Sequence, residues 1–262
     1  MSTIGFIGAG NMGFALAGSL QRAGLATRIC VYDKLAERCE LFRSEFDGVT
    51  VAGEAGAVSG AADATFLAVK PQDVQAATAG LGDSGALIIS ILAGVSLAAL
   101  GARLPRARLV RVMPNTPCLV GAMAAGFTVA DGVGNDDRAL VTRLLAAAGV
   151  AIEVPEEQLD AVTGLSGSGP AYFARFVEWL SDAGVQQGLA PEVAAALSVQ
   201  TALGTALLMQ RQGMAPAALV DMVSSPGGTT VAGRRELEAG AVRTALERTV
   251  AAATARSREL GE

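Results

Sequence analysis

The chain opens on a glycine turn set between two apolar stretches, and few folds admit that arrangement. Ile4 to Ile7 is a short apolar run, and Gly8-Ala9-Gly10-Asn11-Met12-Gly13 follows at once. From Met12 the apolar residues recur at helical spacing (Met12, Ala15, Leu16, Leu20) and stop near Gly24. A buried strand therefore turns directly into a helix N-terminus. Gly8 permits the tight turn, Gly10 keeps the backbone clear of a Cβ, and Gly13 lets helix and strand pack closely. Unpaired N–H groups and the positive end of the helix dipole face any anion above the turn. Taken alone, the pattern also describes an ordinary core turn. However, a second apolar strand, Arg28 to Tyr32, ends in Asp33. An acid about twenty residues on is the usual partner of a dinucleotide ribose. Together the two signals predict a dinucleotide crevice, with Gly8, Gly10, Asn11, Met12 and Gly13 at the pyrophosphate. Asp33 favours a free 2′-hydroxyl, as in NADH, whereas Lys34 and Arg38 would attract the 2′-phosphate of NADPH.

The rest of the first half repeats the strand–helix alternation. Apolar runs at 3–8, 28–33, 64–69, 86–92, 108–112, 126–130 and 150–154 are separated by helix-like stretches at 12–23, 35–45, 72–80, 96–103 and 136–148. That order predicts right-handed βαβ units and a parallel sheet. After Pro155 no strand pattern is evident, and 156–165, 170–188, 191–213, 216–223, 229–238 and 240–259 carry helical periodicity. The expected organisation is α/β: a Rossmann-type dinucleotide-binding domain at 1–154, then an all-helical domain at 155–262. The 191–213 helix is apolar at Val193, Ala196, Leu197, Val199, Leu203 and Leu207, too much for a solvated layer. Burial against a second subunit is expected, a self-contained helical subdomain being the alternative. Arg256 to Glu262 is polar and expected to fray.

Composition narrows the chemistry. The chain has no histidine and only two lysines, Lys34 and Lys70. A Ser–His triad, a His–carboxylate pair and His metal ligands are excluded, and no metal site is expected. The net charge of −5, with no basic run, argues against nucleic acid. Cys30, Cys39 and Cys118 form no CxxC pair and read as reduced thiols in a cytoplasmic protein. The N-terminus begins a strand rather than a signal peptide. The uncharged run from Ser84 to Ala102 is long enough to span a membrane, but reads better as strand, turn at Gly94, and helix.

Four further stretches offer chemistry. Ala68-Val69-Lys70-Pro71-Gln72 closes a strand, where an open sheet holds its ligand, so Ala68, Val69, Lys70 and Pro71 are placed to meet the cofactor; an exposed lysine at a strand end is the plainer alternative. Arg111-Val112-Met113-Pro114-Asn115-Thr116-Pro117 leaves another strand, with Asn115 suited to a nicotinamide carboxamide or to a plain Asx turn. Cys118 beyond it reads as a small buried apolar residue. Ser166-Gly167-Ser168-Gly169-Pro170 leads into a long helix, with capping as its simplest role. Ser224-Ser225-Pro226-Gly227-Gly228-Thr229-Thr230 turns into a helix near Thr229. Its N–H groups suit a carboxylate, although plain capping explains the pattern as well.

In combination these stretches resemble the pyrroline-5-carboxylate reductases along nearly the whole chain. The resemblance rests on Ile7 to Gly13, Leu67 to Gln72, Ile89 to Gly94, Arg111 to Pro117, Leu165 to Tyr172, Asp182 to Val185 with Gly188-Leu189, and Ser225 to Thr230. It implies reduction of L-1-pyrroline-5-carboxylate to L-proline with NADPH or NADH, in homodimers formed through the helical domain and often assembled into decamers. It implies that Ser225, Gly227, Gly228, Thr229 and Thr230 hold the substrate carboxylate. Thr230, near the ring nitrogen, is then the catalytic candidate. Two positions depart from the family pattern: Glu54 where an asparagine often meets the ribose, and Met123 where a small residue is common. A reductase of another small cyclic imine carboxylate, or a non-catalytic NAD(P) sensor, would keep the same plan. A β-hydroxyacid dehydrogenase would need a lysine in the helical domain, and none lies beyond residue 70.

Overall fold

The computed structural model describes residues 2–81 and 85–261. Ser84, the first residue of the uncharged run, and Glu262 lie outside them. Two compact units form, one from Met1–Ser168 with Ala252–Glu262, the other from Gly169–Ala251.

The first unit is built on one sheet. Its strands are β1 (Thr3–Ile7), β2 (Arg28–Tyr32), β3 (Val49–Val51), β4 (Ala64–Leu67), β5 (Leu87–Ser90), β6 (Arg108–Met113), β7 (Met123–Val129) and β8 (Gly149–Glu153). They lie in the order β3-β2-β1-β4-β5-β6-β7-β8. The helices between them are α1 (Asn11–Arg22), α2 (Ala36–Glu45), α3 (Ala55–Ala61), α4 (Val74–Ala79), α5 (Leu97–Arg103) and α6 (Asn135–Ala146). This is the Rossmann arrangement, reversing direction at β1 and β4. The central strands are buried on both faces. Phe6 and Phe66 stack at 5.3 Å within one apolar layer, while Ile7, Leu67 and Ile88 fill the other.

The sheet departs from the expected all-parallel form at one pairing, because β7 runs antiparallel to β6. The Pro114–Ala122 connection is shorter than the dozen or so residues a parallel crossover needs. Met123 opens β7 as a buried core side chain. The short β3 and α3 were not expected from periodicity.

No strand follows Glu153 among the described residues, close to the expected change at 155, but the compact units divide at Ser168. The intervening α7 (Leu159–Val162) and a π-helical turn at Thr163–Gly167 belong with the sheet. Gly126 of β7 shows why, since a Cβ there would stand 2.7 Å from a Val162 methyl.

The second unit holds α8 (Gly169–Gln186), α9 (Pro191–Gln212), α10 (Pro216–Met222), α11 (Thr229–Ala239) and the start of α12 (Val242–Gly261). Helices α8 and α9 pack together, with Gly184 admitting Ala194 and Leu189 to close contact. The end of α12 is not frayed. Ser257 is buried and donates to Asp160 Oδ1 at 2.7 Å, and the Leu260 carbonyl lies against Gly94.

Candidate active site

A cavity of about 340 Å³ lies beyond the carboxyl ends of β1, β2 and β4, the place where an open parallel sheet takes its ligand. Gly8, Gly10, Asp33, Lys34, Ala68, Val69 and Lys70, all assigned to the cofactor from sequence, line it.

The glycines divide their work. Gly8 has φ +99°, and a Cβ there would meet the Ala68 carbonyl carbon at 2.6 Å. It lets β1 turn against the end of β4. A Cβ on Gly13 would strike the Gly8 carbonyl oxygen at 2.7 Å, so Gly13 seats α1 on the turn. Gly10 lines the cavity and has no protein atom within 4 Å of an added Cβ. The space beside it is open to a ligand, and α1 begins at the next residue. These residues fit a dinucleotide pyrophosphate.

Asp33 is fixed in place. Its Oδ2 accepts from the Ala9 N–H at 2.7 Å and its Oδ1 from the Leu35 N–H at 3.0 Å. The acid is thus pinned to the glycine turn, with lone pairs left for a ribose hydroxyl. Arg38 is also held: Nε donates to the Ala9 carbonyl at 2.8 Å and Nη2 to Asn11 Oδ1 at 3.3 Å. Lys34 pairs with Asp73 at 2.7 Å. Lys70 is exposed and makes no ion pair among the described residues. Arg38, read from sequence as a cation for a 2′-phosphate, lines the cavity as well, and Asp73 is the member of this group that the sequence did not single out. Asp73 is a charged residue in the short turn that follows β4, too common a pattern to stand out.

Five assigned positions, Asn11, Met12, Gly13, Pro71 and Asn115, do not line the cavity. Met12 packs against the core, Gly13 is buried, Asn11 accepts from Arg38, and Pro71 starts a short 3-10 turn. Glu54 is exposed ahead of α3, away from the cavity lining. Asn115 corrects its expected role. Its Oδ1 accepts from the Ala124 N–H at 2.9 Å, and its Nδ2 donates to the Ser166 carbonyl at 3.0 Å. The carboxamide ties the loop after β6 to the π-helical turn instead of facing the cavity. A second tie runs from Arg111 to Glu156 at 3.0 Å, and the Leu97 N–H donates to the same Glu156 oxygen. Cys118 is fully buried, and burial pushes its thiol up to about 11, so it carries no nucleophile.

The Ser225–Thr230 loop lies in the second unit. The Gly228 N–H donates to the Ser225 carbonyl at 2.9 Å, and Gly227 has φ +72°. Proline followed by such a glycine is the type II turn pattern. Gly228 precedes α11 as its cap, and the Thr229 and Thr230 N–H groups head the helix. Gly228's own N–H is spent on the turn, which removes it from the donors expected for a carboxylate. Its lack of a side chain still matters, since a Cβ would stand 2.5 Å from Ser225 Oγ.

Comparison with known proteins places both units. Residues 156–260 match the family described as pyrroline-5-carboxylate reductase dimerisation, and residues 3–94 match NADP oxidoreductase, coenzyme F420-dependent. A pyrroline-5-carboxylate reductase of Arabidopsis thaliana is 41% identical over 266 residues, covering 99% of this chain and 95% of its own. The chain belongs to the pyrroline-5-carboxylate reductase family. The solved reductase of Coxiella burnetii is 34% identical with a TM-score of 0.94, covering 100% of this chain and 99% of its own. That of Plasmodium falciparum, solved with NADP bound, is 29% identical with a TM-score of 0.85, covering 100% and 98%. The helical half is thus a dimerisation domain by family, and it exposes large apolar side chains such as Phe173, Trp179 and Leu203 on α8 and α9. Among the described residues α9 is the one helix long and apolar enough, by length and composition alone, to cross a membrane.

Proposed function

We propose that the chain reduces L-1-pyrroline-5-carboxylate to L-proline, the last step of proline biosynthesis, using NADPH or NADH. The observation that carries this reading is an identity of 41% running over 99% of the chain, through the cofactor crevice and the helical half alike.

NAD(P)H, when bound, would supply the hydride for the carbon of the C=N bond. Gly8, Gly10 and Asp33 would hold its pyrophosphate and ribose, and Lys70, at the same cavity, would offer a positive charge to the phosphates. Asn115 keeps the loop after β6 in register with the π-helical turn and so shapes the wall beyond the β6 end. The N–H groups of Gly227, Thr229 and Thr230 grip the substrate carboxylate at the positive end of α11. The Thr230 hydroxyl orients the ring nitrogen or relays a proton to it. A cyclic imine is basic and can react as its iminium. The C=N π pair then collapses onto a nitrogen that already bears a proton, leaving a neutral amine. No strong protein acid is needed, which suits a chain without histidine.

The assembly is a homodimer through α8 and α9, extending to a decamer, in the cytoplasm. Its support is the family of the helical half, the apolar side chains exposed there and three buried, unpaired cysteines.

The test is oxidation of NADH and NADPH, in parallel, with pyrroline-5-carboxylate and with its six-membered homologue. Turnover of the five-membered imine is expected. Faster turnover of the homologue would reassign the substrate, and no oxidation in any of the four mixtures would leave a cofactor-binding protein without the activity.

A further inference from the structure

Lys34 and Asp73 form an ion pair at 2.7 Å, separate from the bonds that tie Asp33 and Arg38 to the glycine turn. Lys34 follows β2 and Asp73 follows β4, and these strands flank β1 on either side. The pair therefore bridges the crevice over the glycine turn, and both residues line the cavity.

The other charged groups of that cavity are differently placed. Asp33 is pinned by the Ala9 and Leu35 N–H groups, so its negative charge stays at the ribose end. Arg38 is tethered through two of its nitrogens to Ala9 and Asn11. Lys70 leaves β4, whose end lies against the Gly8 turn, so it belongs to the pyrophosphate end. Lys34 is next in sequence to Asp33, its side chain is 64% exposed, and its charge is already neutralised by Asp73. A 2′-phosphate set beside Asp33 needs a cation in compensation. While Asp73 holds Lys34, the carboxylate offsets the charge that the phosphate would draw on, and a cofactor without the phosphate makes no such demand.

We propose that Asp73 is a specificity-determining residue: by holding Lys34 it withholds that ammonium from a 2′-phosphate and tilts cofactor choice toward NADH. The inference rests on the dinucleotide reading of the crevice and is independent of which imine is reduced.

Calorimetric titration of NADPH and NADH into the wild type, D73N, K34M and the D73N/K34M double variant tests it. D73N is expected to raise the ratio of NADPH affinity to NADH affinity by about five-fold, the scale of one exposed ion pair. K34M lowers that ratio, and D73N adds nothing in the K34M background. The proposal is overturned if D73N strengthens both cofactors alike, leaves the ratio unmoved, or keeps its gain without Lys34. Binding is read without turnover, so an enzyme that bound both cofactors yet reduced no imine would defeat the assigned activity and leave this result standing. Failure to bind either cofactor would defeat the crevice reading and this proposal together.

Discussion

Gly10 and Gly8 stand two residues apart, yet alanine should act on them in opposite ways. Gly10 has φ −71° and ψ −178°, an ordinary backbone for alanine. An added Cβ meets no protein atom within 4 Å. Alanine is a poorer helix cap than glycine by up to about 1 kcal/mol. Reduced freedom of the unfolded chain returns about 0.4–1 kcal/mol. The net change is close to zero, and a Gly10→Ala protein should melt within about 3 °C of the parent. Its cofactor affinity should not survive so well. In the proposed cradle the new methyl would intrude on the pyrophosphate, and forcing extra volume into a fitted contact costs roughly 1–3 kcal/mol. At about 1.4 kcal/mol per decade, NADPH and NADH should bind roughly 5- to 150-fold more weakly.

Gly8 is the control. At φ +99° an alanine is strained, and its Cβ would lie 2.6 Å from the Ala68 carbonyl carbon and 2.7 Å from the Val69 nitrogen. Strain and overlap together cost about 2–6 kcal/mol, or a melting point lower by about 10 °C. Thermal melts of both variants, with and without cofactor, beside calorimetric titrations, separate the two effects. If Gly10→Ala binds both cofactors like the parent, nothing sits beside Gly10 and the cradle has been misassigned. If it melts as early as Gly8→Ala, Gly10 serves packing.

Three other outcomes follow from the same geometry. Thr230→Ala should cut kcat on the order of 100-fold while the cofactor still binds, and unchanged turnover would remove Thr230 from the chemistry. Asn115→Ala leaves the Ala124 N–H and the Ser166 carbonyl without their partner in a partly buried site, so about 1–3 kcal/mol of stability should go, read as an earlier denaturant midpoint; an unmoved midpoint would mean that neither bond holds the loop. Burial raises the Cys118 thiol from 9.0 to about 11, so the folded chain holds that proton after the unfolded chain has lost it. Stability should therefore fall as pH rises from about 9 to about 11 and be fully present below 9, and Cys118→Ala should flatten that fall. An equal fall in the variant would assign it to other groups.

How much of this was legible beforehand depends on the length over which a pattern can repeat. The long elements of the sheet and the helical half carry several periods and show themselves. Helix α3 does not. It is Ala-Gly-Ala-Val-Ser-Gly-Ala, two turns with Val58 as its one large apolar residue and two glycines lowering its propensity. Gly56 is there because a Cβ would collide with the Gly80 carbonyl, a reason that exists only once the chain is folded. Strand β3 has three residues and borrows its register from β2. The antiparallel β7 was within reach, since the loop after Met113 is too short for a crossover, but only with its start placed at Met123.

The site divides along a different line. Glycines reveal themselves because their reason is negative: Gly8 and Gly13 mark places where the fold has no room for a side chain, Gly10 lies beside open space in the cavity, and spacing alone exposes the set. Polar side chains are harder, because residue type states what a group can bond to and not what it has bonded. Asn115 between two prolines at a strand end has the donors and acceptor for a carboxamide ligand. The fold commits that acceptor to Ala124, nine positions on, and a donor to Ser166, fifty-one positions on. Lys34 is the same case with the sign of charge added. Beside Asp33 it looks like a free cation awaiting a phosphate, and Asp73, thirty-nine residues away, has already claimed it. A cofactor preference read from the β2 end alone therefore counts a charge that is not available. The quantity to compare between NADH and NADPH is the difference between two partners for one ammonium, and the second partner is visible only across the crevice.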